Sequence, residues 1–186
     1  MLPSLESIRK VFPDWPSEFD RARQPDGWAM LAQDFYCAAL IVNTETKKVH
    51  DWLHADEGKQ ITHEIAVRLH GQRAALFCMA FAVELIIKAV YVKQIETKEM
   101  KPNCHIKFGN HRITQLAAKM TDISLTDSEK MAIQLAQEII VNGKYPTSTK
   151  PKDTIESMML PNLRSTIEML EPIYEKFWGY ILKKQD

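Results

Sequence analysis

Glycine is scarce in this chain, at 6 of 186 residues. That is about 3%, against roughly 7% in average proteins. So little glycine leaves few tight turns and excludes the phosphate-cradling loops: neither GxGxxG nor the P-loop pattern occurs, and GxSxG is absent too. Cysteine is also sparse. Cys37, Cys78 and Cys104 are odd in number and share no CxxC spacing, which points to reduced thiols and a cytoplasmic setting. The N-terminus lacks a basic stretch followed by an apolar one, so no secretory signal is expected. Net charge is lacking as well, with 24 basic and 24 acidic side chains. A surface that coats nucleic acid or an anionic membrane as a whole is thereby excluded. The neutrality is nevertheless a sum of unlike parts. Residues 1–58 carry −4, residues 59–112 carry +5 and residues 113–186 carry −1.

What is present is helical periodicity. Four prolines, Pro3, Pro13, Pro16 and Pro25, make residues 1–25 an N-terminal arm with a short helix near 17–23. Pro25-Asp26-Gly27 is a turn signal, and 26–186 is expected to form one helical domain. Trp28, Leu31, Ala32, Phe35, Ala39, Val42, Val49 and Trp52 predict a first helix to about His54. A second runs from about 60 to 98. Its stretch Ala74–Val92 has 17 apolar residues in 19, interrupted by Glu84 and Lys88. Those two charges speak against a membrane span and for the central helix of a bundle. Asn110 is placed to cap a short helix over 111–120, and Thr126-x-x-Glu129 is a capping box for a fourth helix to about 141, closed by Asn142-Gly143. The fifth, opened by Asp153 with Glu156, carries Leu160, Leu163, Ile167, Leu170, Tyr174, Phe177 and Ile181, a heptad seam in which Pro172 is expected to introduce a kink. No segment alternates with period two. The expected fold is all-α: an antiparallel up-and-down bundle of about five helices with a four-helix core.

Short connections would bring the loops 99–110 and 142–153 to one pole. Lys93, Lys98, Lys101, Lys107, Arg112, Lys144, Lys150 and Lys152 gather there, with His105 and His111. The candidate anion- or nucleotide-binding set is His111, Arg112, Lys107, Lys144 and Tyr145. Glu84 and Lys88, four apart in the favourable order, are a candidate structural pair. Metal chemistry finds little support. His63-Glu64 lacks the second histidine of a zincin, since position 67 is Val67, and His50 with His54 lacks a third ligand. No metal and no cofactor are expected.

Three segments in order resemble HEPN-domain proteins. Ala82-Val-Glu84-Leu-Ile-Ile-Lys88-Ala-Val resembles their Glu-x-x-x-Lys-Ala helix. Asn110-His111-Arg-Ile-Thr-Gln-Leu116 is similar to their Gly-His-Asp-Leu-x-x-Leu helix start. Gly143-Lys144-Tyr145-Pro146 looks like the Arg-Tyr-Pro element before the last helix. The resemblance spans about residues 28–182. It implies a helical bundle, a homodimer, and roles in RNA cleavage, nucleotide binding, or toxin and phage-defence systems, with a partner protein as a further possibility. The family's ribonucleases pair an arginine with a histidine four to six residues on, a cation and a general acid/base for attack by a 2′-hydroxyl. Here no arginine precedes a histidine at that spacing. The expectation is therefore a non-catalytic accessory protein that binds a nucleotide or RNA phosphate at the basic pole. The alternatives are a divergent, metal-independent ribonuclease or toxin using His111, and a dimerisation module without a ligand.

Overall fold

The computed structural model describes residues 25–54, 63–97, 111–144 and 163–183. These form five helices: α1 (Pro25–His54), α2 (His63–Glu96), α3 (Ile113–Ala117), α4 (Asp127–Lys144) and α5 (Leu163–Lys183). No strand occurs among the described residues, and the fold is an all-α bundle. The arm helix near 17–23, the Asn110 cap, and the Asp153 and Glu156 signals all lie outside the described residues.

α2 is the axis. α1, α3, α4 and α5 all pack on it, and from Ala82 to Val92 every residue is buried. Its 26-residue apolar stretch, Gly71–Glu96, is long enough to cross a membrane, but 83% of its most apolar window is buried inside the bundle. A helix surrounded by helices must be apolar on all sides, which accounts for the run without a bilayer.

α1 and α2 are antiparallel: Trp28 meets Lys88, Phe35 meets Phe81, and Val42 and Thr46 face Gly71. α5 also runs antiparallel to α1, since Tyr174 Oη donates to Gln33 Oε1 at 2.7 Å and Tyr36 Oη to Glu171 Oε1 at 3.1 Å. The Tyr36 and Tyr174 rings stack between these bonds, 4.1 Å apart. Burial, then the Glu171 carboxylate, pushes the Tyr36 phenol up to about 12, and burial raises that of Tyr174. The seam of α5 is inward as the spacing requires: Ile167, Leu170, Tyr174, Phe177 and Ile181 are each at most 2% exposed.

Three helices differ from expectation at their ends. Pro25 opens α1 rather than preceding it, because a first-turn proline loses no hydrogen bond and its φ already suits a helix. α4 continues through Asn142-Gly143 to Lys144. α3 shrinks to five residues, with Arg112 at its N-cap and no side-chain cap. The capping box of α4 forms on both sides. Thr126 N donates to Glu129 Oε2 at 2.7 Å, and Glu129 N to Thr126 Oγ1 at 3.3 Å. Pro172 lies within α5 on an exposed position, where a missing donor costs least.

Lys176 of α5 reaches Glu129 at 2.7 Å. That contact, with the Thr126 amide, holds the Glu129 carboxyl below the usual carboxylate range. A depressed folded value gives stability above the unfolded carboxyl's titration, near pH ~4.3, that is lost as pH falls through the folded value. Lys176→Met is therefore expected to be less stable than the parent at pH 7 by about 1 kcal/mol or less, since both groups are partly solvated. In urea titrations across pH the difference should vanish in acid. A difference that persists undiminished in acid would discount the ion pair.

Two helical glycines give opposite expectations. A Cβ on Gly71 would lie 2.9 Å from Thr46 Oγ1 and 3.2 Å from Val42 Cγ1. Thr46 cannot readily yield, because its hydroxyl donates to Val42 O at 2.8 Å. A Cβ on Gly179 would meet nothing within 4 Å. Gly179→Ala should stabilise by about 1 kcal/mol through helix propensity. Gly71→Ala should destabilise by about 1–2 kcal/mol, overpacking outweighing propensity. Shifts of the same sign in the two denaturation midpoints would refute this reading of the α1–α2 contact.

Candidate functional site

Glu84 and Lys88 sit one turn apart on α2, on a face that helix geometry makes common to both. Both are buried, at 1% and 4% exposed, and Lys88 Nζ lies 2.5 Å from Glu84 Oε1. Charges so deep in a bundle need partners. The lysine has a second one, with the Trp28 ring centroid 5.2 Å from Nζ, a cation–π contact. The carboxylate also has a second one: His111 Nδ1 lies 2.9 Å from Glu84 Oε2 and 3.1 Å from Oε1. An ionised carboxylate only accepts, so Nδ1 carries a proton toward it; Nε2 is an acceptor in the neutral ring and a donor in the imidazolium.

His111 is held from three directions. Its ring stands edge-on to Phe81, at 6.4 Å between centroids. Ile113, Leu116 and Ala117 bury α3 immediately after it. Thr114 Oγ1 donates to Gln137 Oε1 of α4 at 3.1 Å, which ties the same segment to the far side. The His111 side chain is 21% exposed, and Arg112 beside it is exposed. The cluster is thus a buried ion pair supporting a fixed, partly solvated imidazole with a guanidinium next to it.

This corrects the placement expected for His111. The helix order put it at the basic pole with Lys93, where α2 ends. It sits instead against Glu84, nine residues back, roughly 14 Å along the helix axis. α3 therefore begins partway along α2 and not at its end. Lys107 and Tyr145 lie outside the described residues. Lys144 ends α4, but its side chain lies outside them, as do those of His50 and His54. Among the described residues no group of three or more histidine, cysteine or acidic side chains is arranged to hold a metal. A shallow groove of about 660 Å³ lies elsewhere, between Asp122–Ser124 and the last turns of α5. Its Lys176 is already engaged by Glu129 and by the Ser124 carbonyl.

The sequence marks out Glu84, Lys88 and His111 but assigns them to separate roles. Trp28 and Phe81, the aromatic neighbours of the cluster, stand in the sequence only as helix-periodic apolar positions. Comparison with protein-family models, with curated proteins and with solved structures finds no match to this chain.

Proposed function

We propose that the chain is a HEPN-like accessory protein that binds the phosphate of a nucleotide or of RNA, acting as a homodimer, with His111 and Arg112 at the centre of the contact. The observation that carries this reading is the His111–Glu84 hydrogen bond at 2.9 Å beside an exposed arginine. A buried, mutually neutralised Glu84–Lys88 pair spends its remaining acceptor capacity on orienting one imidazole. In its imidazolium form the oriented ring donates from Nε2, and that donor with the neighbouring guanidinium suits a phosphate oxygen better than a mobile surface histidine does. Lys107, Lys144 and Tyr145 would add charge and a stacking ring from the adjoining segments.

Fluorescence-anisotropy titration with a labelled single-stranded RNA and with ATP tests it. Binding should weaken steeply with salt, and Arg112→Ala with Lys107→Ala should weaken it further and flatten the salt slope. Absence of binding, or binding indifferent to salt and to both substitutions, defeats the proposal.

One observation favours a second reading, the divergent ribonuclease. A carboxylate on Nδ1 fixes the tautomer in which Nε2 can take a proton from a 2′-hydroxyl. Cleavage insensitive to chelators, leaving 2′,3′-cyclic phosphate ends and lost in His111→Ala, would replace the binding role with that one.

A further inference from the structure

Next to His111 the surface of the bundle is aromatic. Phe77 and Phe81, one turn apart on α2, lie 4.8 Å from each other, and Phe35 of α1 lies 5.5 Å from Phe81. Phe81 in turn touches the His111 ring. All three phenylalanines are only partly buried, although α2 is wholly buried from Ala82 to Val92. Leu76, Met79 and Ala80 around the strip are buried, so the strip is one partly uncovered face of the most apolar helix of the protein, beside the oriented imidazole. A bare phosphate gains nothing from such rings. A nucleobase does, because every base presents a π-face to stack. Paired bases in an RNA duplex have that face covered, and the deep, narrow major groove shuts side chains out.

We infer that the ligand of this site is single-stranded: an unpaired nucleobase stacks on Phe77 while the adjoining phosphate meets His111 and Arg112. This deepens the phosphate-binding reading and rests on it. Phe77 is the stacking partner because it ends the strip among the described residues, whereas Phe81 is enclosed by Phe35, Phe77 and His111. The ring contacts run from Phe77 through Phe81 to His111, at spacings of 4.8 and 6.4 Å.

The experiment compares oligoadenylate RNA with an abasic ribose-phosphate chain of the same charge, each about ten units long, the scale of a single-strand site, and with the same RNA annealed to its complement, whose affinity is taken per phosphate because the second strand doubles the charge. The single strand should bind about tenfold more tightly than the abasic chain, as expected of a stacked base. Phe77→Ala should abolish that preference without altering abasic binding, and Phe77→Trp should restore it. Equal binding of single-stranded and abasic probes, or preference for the duplex, overturns this inference and leaves phosphate binding standing. No binding of any probe removes both. If Phe77→Ala instead shifts the sedimentation coefficient and leaves the probe order unchanged, the strip joins two copies of the chain, and the inference is wrong.

Discussion

Lys88→Met is expected to destabilise the protein by about 3–5 kcal/mol, because it strands a buried carboxylate. Glu84 is 1% exposed, and without the ammonium at 2.5 Å its remaining polar contact among the described residues is His111 Nδ1. The double substitution Glu84→Met with Lys88→Met removes both charges and fills a similar volume. Replacing a buried pair by apolar side chains is often neutral or stabilising, by about 1–4 kcal/mol. The double variant should therefore be clearly more stable than Lys88→Met alone in urea denaturation, a strongly non-additive cycle. Additive losses would mean that the pair is solvated in solution. The double variant also separates stability from function. It should fold, yet His111 loses its anchor, so RNA or nucleotide affinity should drop as far as in His111→Ala. A folded double variant that binds like the parent would show that orientation of the imidazole contributes nothing.

Phe177→Ala is the second large effect, about 3–5 kcal/mol, the cost of truncating a fully buried phenylalanine and leaving a cavity. Phe177 is 0% exposed in the middle of the α5 seam. Met169, on the same helix, is 48% exposed, and its change to alanine should stay within about 0.5 kcal/mol, as surface positions usually do. The contrast tests which side of α5 carries the packing against α2. Comparable losses at the two positions would mean that α5 also buries its outer face, against a second copy of the chain. Repeating both denaturations at several protein concentrations checks this directly.

The legibility of this protein in its sequence follows the range of the interactions involved. Seam residues such as Leu170 and Phe177 repeat every three or four positions, so their spacing alone identifies the inward face of α5. Thr126 and Glu129 satisfy each other's amides within a single turn, and a local device of that kind is visible in four residues. The central place of α2 follows from its apolar composition, since a helix that buries every side leaves no polar face. Boundaries are less clear, because Pro25 carries the same φ in a turn and in a helix's first turn.

The site is only half legible. Glu84 and Lys88 are four residues apart, and their pairing is a helical commonplace. The contact that gives the pair a purpose spans 27 residues, from Glu84 to His111, and no local pattern encodes a contact of that length. The packing of α3 between α2 and α4 makes it. The aromatic strip is similar: Phe35, Phe77 and Phe81 fit the helical period as well as any core residue does, and only tertiary packing leaves them partly uncovered. By itself the sequence determined that the chain is a helical bundle and which helix is central, because period, capping and composition act within one helix. The tertiary structure alone decided that a buried carboxylate holds one particular histidine beside partly exposed aromatic rings, because that depends on where separate helices meet.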